Sequence, residues 1–395
     1  MWCAHASMRR QSAADVTRKR RPDFACRARS RIATGSLEIC QAGILACRAA
    51  DDVILHAVTA AGIQRLAAVI SASFDNEHYR ADLASIVGAR SDASLAIWID
   101  ELCRAHLGHE VGGARFACKS VGAVFGLTLA DDSAVVLKLF PSTCDEAALR
   151  AIEACLARIN QAGFPSPRPL APLFQADQVW GAFYELIDGT VLDAHRVDVR
   201  RTLAHALAAL TEIVIAVDPT GLPTAPTRRH TLWGPPHRVG IDLGAAGGEW
   251  IDARAAAAQH VVRESALPLI AAHLDWGTKN ALFVDGKLRA ILDWDSLMMA
   301  TEAELVGRAA AQFTAQWAFP ARLTPTRAEA SAFAHEYEAA RGRRFTPVEQ
   351  RVANASADYL MAEIARQTFS GPDCADDEYR ALLRETAATP LISFG

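Results

Sequence analysis

The chain has 395 residues, of which 51% are hydrophobic and 22% charged, and carries a formal net charge of −4. That composition excludes a disordered or fibrous chain, and the length exceeds what one hydrophobic core usually serves, so two lobes are expected. The net charge gives the molecule no general attraction for nucleic acid.

The charge is unevenly spread. Residues 1–50 hold ten Lys and Arg against three acids, a head of +7 on a remainder of −11. The head reads as a disordered tail, with an organelle transit peptide or a basic arm as the sharper alternatives. Nine scattered cysteines form no CxxC pair, which fits a reducing cytoplasm better than a disulfide framework or a zinc site. No apolar run approaches the roughly 18 residues needed to cross a bilayer, and no secretory signal is legible. A cytoplasmic protein without membrane or nucleic-acid partners is therefore expected.

Helical spacing of apolar residues runs from Asp51 to Ile70 and again from Asp92 to Leu107. In the second stretch Leu95, Trp98, Ile99, Leu102 and Ala105 share a face, and Asp92 is placed to cap it. Over 113–140 the pattern predicts three antiparallel strands, with Asp131-Asp132-Ser133 as the turn before the last. A helix follows, with Ser142 and Asp145 as an approximate capping pair and Gly163 past its end. Residues 179–187 predict another strand. The remainder reads as helical, apart from a Pro/Gly-rich stretch at 219–248 and a hairpin at 281–293. Strands first and helices afterwards is an α+β pattern, a small sheet lobe and a larger helical one.

The segment with the most chemistry is His273-Leu274-Asp275-Trp276-Gly277-Thr278-Lys279-Asn280, then Leu292-Asp293-Trp294-Asp295. Phosphoryl transfer needs a carboxylate to orient the attacking hydroxyl and accept its proton, and oxygen ligands to hold magnesium against the phosphates. Asp275 suits the first duty, and Asn280 and Asp293 the second. The turn at Asp285-Gly286, with Phe283-Val284 pairing to Ala290-Ile291-Leu292, would return Asp293 beside Asn280. His273 reads as a structural residue of that loop. Lys279 is either a phosphate contact or a solvated charge, and Asp295 either assists the site or caps a turn. The acidic run Asp373, Asp376, Asp377 and Glu378 reads mainly as a solvated face.

The HxDxxxxN motif followed by Leu-Asp-Trp resembles the aminoglycoside phosphotransferase and choline kinase family, relatives of protein kinases. That resemblance, which covers roughly residues 113–310, implies a protein-kinase-like two-lobed fold with an antiparallel-sheet N-lobe at 113–187 and a helical C-lobe at 188–395; residues 51–112 match it only loosely and read from their periodicity as a helical extension. It implies ATP and magnesium as cofactors and a small hydroxylated molecule as phosphate acceptor, with a lapsed, nucleotide-binding regulator as the rival reading. Carried onto this chain, Lys138 would contact the phosphates, with Glu153 preferred over Glu146 as its partner. Gly122, within 120–126, would belong to the turn over the phosphates. Glu185, Leu186 and Ile187 would form the hinge that binds adenine. Where relatives carry Gly-Asp-Pro and Asp-Leu-Ala, this chain reads Met298 to Leu305, and Glu304 is the candidate to replace the aspartate that anchors the catalytic loop.

Overall fold

The structure, a computed structural model, describes residues 60–119, 122–236, 241–369 and 377–395. The basic head and the first part of the helix expected from Asp51 lie outside the described residues. By compactness the chain divides inside one strand, into a unit ending at Lys138 and a unit of Leu139–Gly395.

The described part of the first unit opens with α1 over 60–73, α2 (Glu77–Val87) and α3 (Asp92–Leu107). On α3 the expected face is buried at Leu95, Trp98, Ile99 and Leu102, while Ala105 is exposed. Its cap is Ser91, whose hydroxyl accepts from Ser94 N at 3.1 Å, so Asp92 is the first helical residue and not the cap. Buried Asp100 accepts the Val111 N–H at 2.7 Å and so ties α3 to the start of the sheet. Strands β1 (Val111–Lys119), β2 (Ala123–Leu129) and β3 (Ala134–Pro141) follow as expected. β1 and β2 are antiparallel, with Ala117 opposite Phe125. Asp132 turns the chain into β3 with φ 67°, a left-handed conformation that Asp tolerates.

In the second unit a single large core runs from Ile152 to Ile392. Helix α4 (Glu146–Gln161) is capped by Asp145 alone, which accepts from Ala147 N at 2.9 Å; the expected start at Ser142 lies one turn too early. Strands β4 (Phe174–Ala176) and β5 (Val179–Glu185) form an antiparallel pair. Helices α5 (Val197–Val214), α6 (Glu249–Arg263), α7 (Glu302–Gln312), α8 (Arg327–Arg341), α9 (Pro347–Phe369) and α10 (Asp377–Glu385) supply the rest of the core. The long α9 packs against α6 and α7, and α5 against α8.

Two ribbons interrupt this helical body. The hairpin of β7 (Ala281–Val284) and β8 (Lys287–Ile291) turns at Asp285 and Gly286, both at positive φ, as an Asp-Gly turn requires. Its register differs from the expected one: Val284 pairs with Lys287, and Ala281-Leu282 pair with Ile291-Ala290 across a bulge. The second ribbon joins β6 (Leu269–His273) to β9 (Leu297–Thr301), where the sequence pattern suggested no strand. In these five-residue segments burial runs through consecutive residues, Ile270 to His273 in one and Ala300-Thr301 in the other, without period-two alternation, which is why they read as helix.

Candidate active site

The two ribbons bring two loops together. Residues 274–280 connect β6 to β7, and residues 292–296 connect β8 to β9. Backbone bonds lock them: Leu274 N donates to Ser296 O at 3.2 Å, and Leu292 N to Asn280 O at 2.7 Å. His273 adds a third tie, Nε2 donating to Leu292 O at 2.9 Å. Its ring is fully buried edge-on to Trp276 and Trp294. Burial pushes its pKa down, so the imidazole is neutral and acts as a loop holder, the structural duty expected of it.

Within the first loop Asp275 receives two partners. Lys279 Nζ lies 2.5 Å from its Oδ1, and Asn280 Nδ2 donates to its Oδ2 at 2.9 Å and to its carbonyl at 2.8 Å. Burial raises the Asp275 carboxyl, as does nearby Asp293, but the Lys279 charge and hydrogen bond override both and hold it below its usual 3.8. Each oxygen keeps acceptor capacity, because an ionised carboxylate offers about four lone-pair sites. Lys279 is not a solvated charge: it is 7% exposed and faces the Trp317 ring.

Asn280 has turned its amide nitrogen to Asp275, which makes its carbonyl oxygen the atom suited to a hard cation. Asp293 sits at φ 66°, ψ 47°, the left-handed region, at the head of the turn Trp294–Ser296. That strained position is set by Ser296 N bonding back to Asp293 O at 3.1 Å and by Trp294 Nε1 donating to Ile291 O at 2.8 Å. An amide oxygen and a carboxylate form a hard-oxygen donor set. Among the described residues no group of three or more His, Cys, Asp or Glu is arranged to hold a metal. Two protein oxygens suit a magnesium ion that arrives with phosphates and waters.

Three supports were not legible as such. Thr278, fully buried, donates its hydroxyl to Leu192 O at 2.5 Å and its N–H to Phe313 O at 2.9 Å. Gln312 and Arg308 donate to Leu274 O at 2.8 and 3.4 Å. Their four-residue spacing on α7 is the one sequence signal that pointed to a shared face. They do what was expected of Glu304. That carboxylate instead binds Thr227 Oγ1 (2.5 Å), Arg228 Nε (2.8 Å) and, in a capping box, Thr301 N (2.9 Å).

The remaining site candidates are placed as follows. Lys138 stands half-buried on β3, on the face of Val136 and opposite buried Val135 and Leu137. Gly122 is buried at the entry to β2, and Ser120 and Val121 of the same turn lie outside the described residues. Gly126 serves packing: a Cβ there would meet the Phe116 ring at 2.3 Å. Glu146 is paired on the surface with Arg150 at 2.8 Å. Glu153 faces inward, accepts from Leu173 N at 2.7 Å, and lines a cavity of about 20 Å³ with Tyr184 and Asp295. β5 ends at Glu185, whose N–H is taken by Arg168 O at 2.9 Å; Leu186 and Ile187 continue half-buried beyond it. Of the acidic run, Glu378 accepts from Leu323 N and Thr324 N and pins that loop, while Asp373 and Asp376 lie outside the described residues.

Comparison with known proteins places the chain in a family and a fold. No curated protein matches the chain. Among solved structures, the chain is similar to an amicoumacin kinase in complex with AMP-PNP, Ca2+ and Ami, at 11% identity and a TM-score of 0.53, covering 71% of this chain and 90% of that one. A spectinomycin phosphotransferase in complex with ADP and spectinomycin gives 12% identity, 74% and 94% coverage and a TM-score of 0.49. An aminoglycoside phosphotransferase from Alicyclobacillus acidocaldarius gives 14%, 72% and 90%, and 0.44. At 11% identity the likeness to the amicoumacin kinase speaks for the fold alone, an α+β, kinase-like, two-lobed one. The model of the phosphotransferase enzyme family matches residues 123–354, which include both loops and most of the helical body. The chain belongs to the phosphotransferase enzyme family.

Proposed function

We propose that this enzyme transfers the γ-phosphate of ATP, with magnesium, to a hydroxyl of a small polar molecule. The observation that carries the reading is the cluster of Asp275, Lys279 and Asn280 on one loop, with Asp293 delivered beside it by the β7–β8 hairpin. In this reading Asp275 accepts a hydrogen bond from the acceptor hydroxyl and aims its oxygen. A carboxyl held below its usual range is ionised and ready to accept, and in a loose transition state it takes the hydroxyl proton late, as the new O–P bond forms and the acidity of that hydroxyl rises. Lys279 holds Oδ1 and Asn280 holds Oδ2, so the carboxylate cannot rotate away from the hydroxyl.

Asn280 and Asp293 would hold magnesium, which when bound neutralises phosphate charge. On the family pattern Lys138 and the turn at Gly122 are assigned the nucleotide phosphates, and Glu153 is assigned as the partner of Lys138. The inward placement of Glu153, against the surface pairing of Glu146, favours that choice. Leu186 and Ile187 are the better adenine contacts of the expected hinge, since the Glu185 amide is already committed. The lobes run 113–187 and 188–395 in this reading, and the work is done in the cytoplasm, where ATP is supplied. No helix among the described residues is long and apolar enough to cross a membrane.

The test is magnesium-dependent ATP consumption by the purified protein against a panel of hydroxylated amines, sugars and antibiotics, with Asp275→Ala as control. Stimulation by one compound, lost in the variant, supports the reading. Full activity in the variant sinks it.

A further inference from the structure

The catalytic loop is suspended from two segments that are far apart in sequence. Thr278 reaches Leu192 with its hydroxyl and Phe313 with its N–H. Those same two segments meet at His195. Its Nδ1 lies 2.9 Å from Glu329 Oε1, and its Nε2 lies 3.0 Å from Arg322 O. From Arg322 the chain of bonds returns to Phe313: Thr314 Oγ1 donates to Leu323 O at 2.8 Å, and Glu378 pins Leu323 and Thr324.

Both partners of the ring are acceptors only, a carboxylate and a carbonyl. A neutral imidazole carries one N–H and can serve one of them; both bonds need the imidazolium. We infer that protonated His195 is a positioning residue for phosphoryl transfer: it staples the 190–195 and 313–326 segments and so holds Thr278, and with it the Asp275–Asn280 loop, in register. The inference rests on the reading of that loop as catalytic.

The charged groups facing the ring are Glu329 at the first turn of α8, Asp193 on its own turn, and Arg322, whose guanidinium is directed to Thr324 Oγ1 at 3.2 Å. Burial lowers the His195 pKa, but the Arg322 carbonyl, the Glu329 bond and charge and Asp193 together raise it above 6.5. The staple is therefore complete below that ordinary value and is lost as pH rises through the raised one.

The experiment is amide hydrogen exchange on the full chain across pH 5.5–9, expressed as protection relative to intrinsic rates, with NMR titration of the His195 ring. In the wild type, Thr278 protection falls about tenfold, the worth of one charge-assisted hydrogen bond, as the His195 ring titrates above 6.5. In His195→Gln the low protection is present at every pH, while core amides of α9 such as Tyr359 keep theirs. Glu329→Gln is the second variant; it keeps the helix cap and moves the His195 titration downward. Thr278 protection in His195→Gln equal to the wild type at pH 5.5, or an unmoved His195 titration in Glu329→Gln, overturns the staple. Asp275→Ala turnover is read separately. Retained activity there would remove the catalytic reading and leave the exchange result standing.

Discussion

Helix α7 carries the two side-chain donors to Leu274 O, at the head of the Asp275–Asn280 loop, and it can do so only because it crosses α9 at a glycine. A Cβ on Gly307 would fall 2.0 Å from Ala353 O and 2.7 Å from its carbonyl carbon, and the obstacle is backbone. Since atoms in contact sit about 3.5–4.0 Å apart at their optimum, Gly307→Ala forces the helices apart by on the order of 1 Å. Helix propensity alone would favour alanine by about 0.8–1 kcal/mol. Overpacking a tight core costs typically about 1–3 kcal/mol and more where backbone must move, so the net is a loss of about 2 kcal/mol. For a unit of this size that lowers Tm by roughly 4–8 °C. The displacement also carries Arg308 and Gln312 away from Leu274 O, and a shift of about 1 Å in a positioned loop costs on the order of 10²-fold in turnover. Scanning calorimetry and kcat at saturating ATP read the two effects. A variant that is more stable than the wild type and fully active would show that propensity, not helix contact, governs this position, and would refute the argument.

Asp275→Ala lowers kcat about 10²–10⁴-fold in the ATP-consumption assay, with the melting curve little changed. Asp293→Asn, which tolerates the left-handed backbone, lowers turnover about 10²–10³-fold and raises the magnesium concentration needed for half activity. Glu153→Gln raises KM for ATP, whereas Glu146→Gln, a surface partner of Arg150, leaves it unchanged. Thr278→Val strands the Leu192 carbonyl and costs about 1–3 kcal/mol by denaturant unfolding. Burial raises the Glu302 carboxyl, but hydrogen bonds from Arg341, Tyr337 and Arg343 bring it below 4.5. Its stabilisation is thus present above 4.5 and lost as pH falls through the lowered value. Glu302→Gln should be less stable than the wild type at pH 7 and flatten the acid side of a Tm-versus-pH curve.

Some of this protein was written locally. The pattern over 113–140 and the Asp131–Ser133 turn pointed to three strands, which the structure places within 111–141, because side-chain period and turn chemistry are properties of neighbouring residues. The spacing of Asp275, Asn280 and Asp293, with Asp285-Gly286 between, pointed to a hairpin that returns Asp293 towards Asn280, since a two-residue turn reverses the chain, although the register was not read from it. Tertiary structure decided the rest. The β6–β9 ribbon shows no pattern of its own, because each strand is defined by a partner about thirty residues away. Glu304 lost its expected task to Arg308 and Gln312, since which carboxylate meets which loop depends on how α7 lies against β6 and the 225–228 segment. His195 and Thr278 were silent for the same reason. A histidine acquires meaning only when folding sets a carboxylate and a carbonyl against its two nitrogens, and both acceptors come from more than 120 positions away.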